Sequence, residues 1–145
     1  MLKNLLSILG FLLAAASVVG LLLAHHLFAH SPVLQAVQVA AVALLLWARM
    51  TFGLRSFHPA ASTSKGGLVT TGPYRYWRHP IYAAIIYFVW AGQLEAPALL
   101  PLALAALATL GLVARMLIEE RFLTLAYPEY PNYTKKAKRL LPLVF

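Results

Sequence analysis

The chain has 145 residues, of which 61% are hydrophobic and only 11% charged, with a mean hydropathy of +0.75. Soluble domains carry about 25% charged residues, so this composition points to a membrane protein of one domain, residues 1–145. The absence of cysteine excludes disulfides, thiol nucleophiles, zinc–thiolate sites and iron–sulfur clusters. With no Asp, acidic chemistry rests on Glu95, Glu119, Glu120 and Glu129. The net charge of +8 comes from residues that flank apolar stretches rather than from a basic patch on a soluble face, which argues against nucleic acid and for the lipid bilayer as partner.

Four apolar stretches are predicted to span the membrane as helices, giving an all-α polytopic fold. A span needs about 20 mostly apolar residues. The first runs from Asn4 to Leu23 and stays apolar to Ala29. It is too long for a signal-peptide core and is read as a retained transmembrane helix. The second runs from Pro32 to Trp47, ending at Arg49, with Gln35 and Gln38 facing protein or the membrane surface. The third starts at Pro80, where the missing amide hydrogen does no harm, and ends near Leu94, which makes it short. The fourth runs from Ala98 to Ile118, with Pro101 in its first turn.

Short turns join the first span to the second (His25 to Ser31) and the third to the fourth (Gln93 to Pro97). The connection from Thr51 to His79 is longer and rich in Gly and Pro, which favours irregular backbone. With four spans, all twelve Lys and Arg fall on the side that holds both termini and the 49–79 connection. The positive-inside rule then predicts cytoplasmic termini and, for a bacterial-type cell plan, a multi-pass protein of the plasma (inner) membrane. His25, His26 and His30 gather in the outer turn, but the spacing supplies too few ligands for a metal site. Trp47, Trp77 and Trp90 fit an interfacial aromatic belt, and Lys135, Lys136, Lys138 and Arg139 fit a short amphipathic segment on anionic headgroups.

Two charged motifs lie at the ends of the hairpin made by the last two spans. The first is Gly72-Pro73-Tyr74-Arg75-Tyr76-Trp77-Arg78-His79-Pro80-Ile81-Tyr82, and the second is Arg115-Met116-Leu117-Ile118-Glu119-Glu120-Arg121. A short turn makes the two helices antiparallel neighbours, so both motifs arrive at the cytoplasmic face. Arg115 and Glu119, four apart, share a helix face. Each residue alone reads as an interfacial anchor or surface pair. Together they offer cations, carboxylates, aromatic faces and free amides at a helix start, a set that suits a zwitterionic ligand.

Leu68-Val69-Thr70-Thr71-Gly72-Pro73-Tyr74, Arg78-His79-Pro80-Ile81-Tyr82, Glu119-Glu120, Tyr130 and Tyr133 resemble the isoprenylcysteine carboxyl methyltransferase family, whose phospholipid methyltransferase relatives share the Arg-His-Pro and Glu-Glu elements. The resemblance covers residues 66–145. It implies a membrane-embedded methyltransferase using S-adenosylmethionine, taken from the cytosol, and a lipophilic or small-molecule acceptor: a prenylcysteine-like carboxylate, a lipid amine or a small thiol. It further implies that Leu68, Val69, Gly72, Pro73, Tyr74, His79, Pro80, Tyr82, Glu119, Tyr130 and Tyr133 bind the cofactor. Arg78 would order the loop or hold a carboxylate, Arg115 would orient an ionised acceptor, and Glu120 or His79 would serve as base for an amine or thiol. A unit of four helices is also compatible with a homo-oligomer in which a second copy closes the pocket. A nicotinamide-dependent membrane reductase and a small non-enzymatic membrane protein stay open as alternatives. Against the first, a Glu-Glu pair suits a pyrophosphate poorly.

Overall fold

The computed structural model describes residues 2–53 and 67–141, with only the backbone of Leu2 and Lys3. Arg55 and Lys65, counted above toward orientation, lie outside the described residues, as do Pro59 and Gly66. The described residues form five α-helices: α1 (Leu2–Leu23), α2 (Pro32–Phe52), α3 (Pro80–Gln93), α4 (Leu99–Ala126) and α5 (Tyr130–Lys136). A single 3-10 turn, Gly72–Arg75, precedes α3. Among these residues the only strand-like pairing is an isolated parallel bridge between Trp77 and Lys138.

Three helices are long and apolar enough to cross a membrane: Asn4–Leu23, Pro32–Phe52 and Leu99–Ala126. The shorter α3 is also apolar. At 1.5 Å per residue its 14 residues rise about 21 Å, less than the ~30 Å hydrocarbon layer. Large apolar side chains face outward along α1, α2 and α4, including Leu5, Leu12, Val39, Leu46, Leu107 and Leu110. In water such a surface would aggregate. Against acyl chains it is the expected exterior.

The helices are not ordered in space as they are in sequence. α1 packs mainly on α4, α2 mainly on α3, and α3 and α4 share a shorter seam. Small residues permit the closest of these approaches. A Cβ on Gly111 would lie 2.5 Å from the Gly10 carbonyl oxygen, and one on Gly10 would lie 2.7 Å from that of Gly111. Only paired glycines let the α1 and α4 backbones touch in this way.

The end of the bundle at the α1–α2 and α3–α4 turns, called outer only after the side that the sequence predicts for it, is fastened by amide side chains. α1 stops at Leu23, and the stretch to Ala29 turns instead of continuing helically, with His25 at φ +57°. Gln38, on α2 and buried, accepts from the Ala29 amide (3.0 Å) and donates to the Leu27 and Phe88 carbonyls (2.8 and 3.1 Å). Gln35 donates to the Ala29 carbonyl, and Gln93 to that of His26. Gln38 thus faces protein, and Gln35 reaches back to the turn. Leu27 packs into an apolar cluster with Leu21, Val89 and Ala105 just below.

The other end differs from the sequence expectation in two respects. α4 does not stop at Ile118 but runs on to Ala126, since charged residues such as the exposed Arg121 are compatible with continued helix outside an apolar layer. The tail from Tyr130 to Lys136 is helical, and the 138–141 stretch then crosses back over Tyr76–His79. The Arg78 amide donates to the Lys138 carbonyl (2.6 Å), the His79 amide to that of Arg139 (3.3 Å), and the Lys138 amide to that of Tyr76 (3.0 Å). The Tyr87 hydroxyl donates to the Leu140 carbonyl. Lys135 and Lys136 stay exposed, but Lys138 and Arg139 belong to this strap.

Candidate active site

The site begins with a forced turn. Gly72 sits at φ +58°, and a Cβ there would lie 2.5 Å from Thr51 Oγ1 at the end of α2. Glycine answers both constraints. Pro73 and Tyr74 follow in the 3-10 turn and are buried, with the Tyr74 ring 5.5 Å from that of Phe52. Leu68 and Val69 line an open cleft of about 570 Å³ with Thr51, Phe52, Gly53, Thr70 and Thr71. Among the described residues, none of the charged ones lines that cleft.

Pro80 starts α3, and His79 in front of it stacks on Tyr82, with centroids 5.6 Å apart and planes 6° from parallel. Opposite them, Arg115 and Glu119 occupy successive turns of α4. Counted from Leu99, Arg115 and Glu120 stand about 24 and 32 Å along the helix, the depth at which a ~30 Å hydrocarbon layer ends. An ionisable group there calls for a partner or a purpose.

Two linked networks form at this level. In one, Arg115 Nε donates to the Tyr82 hydroxyl oxygen (2.7 Å), and that hydroxyl donates to Glu119 Oε1 (2.6 Å). Arg115 Nε also lies 3.1 Å from Glu119 Oε1. Its Nη1 donates to Ser7 Oγ (3.3 Å), and its guanidinium carbon sits 5.5 Å from the Phe11 ring centroid, both on α1. In the other, Glu120 Oε1 lies 2.8 Å from Arg78 Nη1 and 3.4 Å from His79 Nε2, while Oε2 accepts from Arg139 Nε (3.0 Å) and lies 2.9 Å from its Nη2. His79 joins the two, its Nδ1 being 3.8 Å from Glu119 Oε2.

The two carboxylates therefore stand differently. Glu120 is held between two guanidiniums. Glu119 leaves 21% of its side chain accessible, against 10% for Glu120. Among the described residues, buried Arg78 Nε and the Tyr130 hydroxyl have no hydrogen-bond partner here, nor has Gln93 Oε1 at the other end, while His79 Nε2 and Glu120 Oε1 have no partner but each other, 3.4 Å apart, and the Arg78 ion pair. Buried polar groups are nearly always satisfied, which makes this region a candidate site.

Tyr130 and Tyr133 come from α5, with rings 5.9 Å apart. The Tyr133 hydroxyl donates to the Tyr74 carbonyl (2.6 Å), which ties α5 to the 3-10 turn. Burial pushes the Tyr130 phenol up to about 12, with the Glu120 charge adding to it. Burial likewise holds Tyr74 and Tyr133 well above the ordinary phenol range. All three stay neutral at physiological pH. Arg139 is held more firmly protonated by its bonds to Glu120.

Arg78, His79, Tyr82, Arg115, Glu119, Glu120 and Tyr130 are thus brought to one level, and Pro73, Tyr74 and Tyr133 buttress it. Leu68 and Val69 border the neighbouring cleft. Sequence reasoning did not find Ser7, Phe11 or Arg139. Ser7 was visible only as a small polar residue in an apolar helix, and nothing local signals that Arg139 folds back onto Glu120.

Residues 28–130, well over half the chain, match the phospholipid methyltransferase family. The chain belongs to that family. The resemblance seen in the motifs is therefore borne out at the level of the family. No curated protein and no solved structure matches the chain. The family match spans α2, α3 and α4 with their motifs. α1 and the 138–141 strap fall outside it, yet they bring Ser7, Phe11 and Arg139 to the charged level.

Proposed function

We propose that this protein transfers a methyl group from S-adenosylmethionine to a lipophilic acceptor at the cytoplasmic face of the membrane. The observation that carries the reading is the charged layer where the start of α3 meets the inner end of α4, in a chain of the phospholipid methyltransferase family.

The residues present fit such a cofactor. Its amino-acid end carries an ammonium and a carboxylate. The part-exposed Glu119 carboxylate suits the ammonium. Arg78, Arg115 and Arg139 against Glu119 and Glu120 leave this layer one positive charge in excess, which suits the carboxylate. Arg78 Nε and the Tyr130 hydroxyl would supply further polar contacts, and the cleft beside Leu68 and Val69 has room for the nucleoside end.

When bound, the cofactor supplies an electrophilic sulfonium methyl. The protein contributes alignment and electrostatics. Arg115, locked by Tyr82, Glu119 and Ser7, fixes the direction of the Glu119 carboxylate and offers positive charge to an acidic acceptor. A carboxylate acceptor needs no base. An amine must lose a proton, and the His79–Glu120 pair, with Nε2 and Oε1 3.4 Å apart, would take it. The apolar outer surface of α1 and α4 delivers the acceptor from the bilayer. The gathering of Arg75, Arg78, Arg121, Lys135 and Lys136 at this end orients it to the cytosol.

Calorimetric titration of the detergent-purified protein with S-adenosylmethionine and S-adenosylhomocysteine tests this reading. Saturable micromolar binding is expected, lost in Glu119→Gln and in His79→Ala with the thermal transition retained. Folded wild-type protein that binds neither compound overturns the reading. Normal binding in both variants overturns the site assignment.

A further inference from the structure

We infer that Arg139 is a positioning residue of the site: through Glu120 it sets the Arg78–His79 pair from a segment beyond the family-matched region. The inference deepens the proposed function and rests on that reading for its ligand.

Three observations converge on it. Arg139 directs both Nε and Nη2 at one oxygen of Glu120, at 3.0 and 2.9 Å. The other oxygen is thereby left to face Arg78 Nη1 and His79 Nε2. Without Arg139, the Glu120 carboxylate is free to rotate and give both oxygens to Arg78, withdrawing from His79. The backbone of the same strap also grips the motif. The amides of Arg78 and His79 donate to the carbonyls of Lys138 and Arg139, so side chain and main chain act on the same two residues. Finally, the strap is itself anchored, by Tyr87 on Leu140 and by buried Ala137, so the arginine approaches from a fixed base.

The contacts of the Arg139 guanidinium described above are both to Glu120. Its guanidinium meets one oxygen of Glu120, and His79 Nε2 faces the other. Its effect passes through a carboxylate, which predicts a particular pattern. Charge at position 139 should matter more than the shape of the group, and removal of Arg139 should lose its consequence once Glu120 is gone.

The test is binding of S-adenosylhomocysteine to the detergent-purified full chain, with thermal unfolding and hydrogen exchange at the Arg78 and His79 amides. Loss of charge-assisted hydrogen bonds predicts that Arg139→Gln weakens binding about tenfold, and that Arg139→Lys recovers most of the loss. The double variant Arg139→Gln with Glu120→Gln should bind no worse than Glu120→Gln alone, the signature of two residues acting as a unit. Amide exchange at residues 78 and 79 should quicken in Arg139→Gln and slow again in Arg139→Lys. The exposed Lys136→Gln serves as control and should match wild type.

Wild-type binding in a folded Arg139→Gln protein overturns the inference while leaving the proposed function intact. Additive losses in the double variant overturn it as well. If Arg139→Gln fails to fold, Arg139→Lys decides alone: a folded protein with a full loss of binding shows that charge is not what position 139 supplies. Absence of binding in folded wild-type protein overturns this inference together with the reading it rests on.

Discussion

The two ends of the same helical bundle are fastened by different chemistry. At the outer end, the side chains of Gln35, Gln38 and Gln93 bond almost wholly to main-chain groups: the Ala29 amide and the carbonyls of His26, Leu27, Phe88, Val89 and Ala29. These bonds close a turn and leave no charge behind. At the inner end, Arg78, Tyr82, Arg115, Glu119, Glu120 and Arg139 bond chiefly to one another. A neutral amide is the economical way to satisfy a buried turn, as the outer end demonstrates. Ionised pairs at membrane depth gain little over apolar packing of equal volume, because desolvation opposes their attraction. Their concentration at one end is therefore weakly explained by stability alone, and it is the feature on which the proposed binding role rests.

That contrast can be broken most severely in the middle of the bundle, where neither chemistry operates. Gly10 and Gly111 bring two helix backbones into contact, and a side chain at 111 would meet backbone atoms at 2.5 and 3.1 Å. Backbone cannot yield as a flexible side chain can. Gly111→Val is expected to destabilise the protein by about 3 kcal/mol or more, since overpacking of this kind is among the costlier substitutions. Loss of the cooperative thermal transition in detergent would show it. Because α1 carries Ser7 and Phe11 to Arg115, binding should fall with the fold. A variant that keeps its full transition temperature would mean that α1 and α4 do not meet through these glycines.

Gln38→Leu sharpens the comparison from the outer side. It strips partners from the Ala29 amide and from the Leu27 and Phe88 carbonyls, and an unmade buried hydrogen bond is expensive. The expected loss is about 2 kcal/mol, read as a lowered thermal midpoint, with cofactor affinity unchanged in the protein that remains folded. Glu119→Gln should do the reverse, sparing the midpoint and abolishing affinity. If both variants lose stability and binding alike, the two ends are not separable.

The sequence made some of this legible and withheld the rest for physical reasons. Hydropathy located α1 and α4, and Pro80 marked the start of α3, because helix spans and helix starts are local properties. The four-residue interval placed Arg115 and Glu119 on one face for the same reason. The spatial order α1, α4, α3, α2 was not legible, since the seams depend on which small residues meet across helices. Nor was the true end of α4. A run of Glu119, Glu120 and Arg121 looks like the exit from a membrane, but leaving the apolar layer does not end a helix, and α4 continues to Ala126. Arg139 looked like a headgroup contact because its neighbours Lys135 and Lys136 are exposed, and its own partner lies 19 residues back in the chain.

The smallest expected effect belongs to the one charged contact of the outer end. The Glu95 carboxylate accepts from the His30 amide (2.5 Å), which holds its carboxyl below the usual range, and it lies 3.8 Å from His30 Nδ1. A carboxyl depressed in the folded state stabilises that state at pH values above the ordinary carboxylate range, and the contribution fades as pH falls through the depressed value. Both partners are solvent-accessible, so the contribution is slight. Glu95→Gln keeps an acceptor for the amide and removes the titration. Its thermal midpoint should lie marginally below wild type at neutral pH and converge on it only once pH falls below the depressed carboxyl value, with cofactor binding unaffected throughout. A change in binding would mean that charge at the outer end reaches the inner one through α3 and α4, and the division between a fastened end and a binding end would then fail.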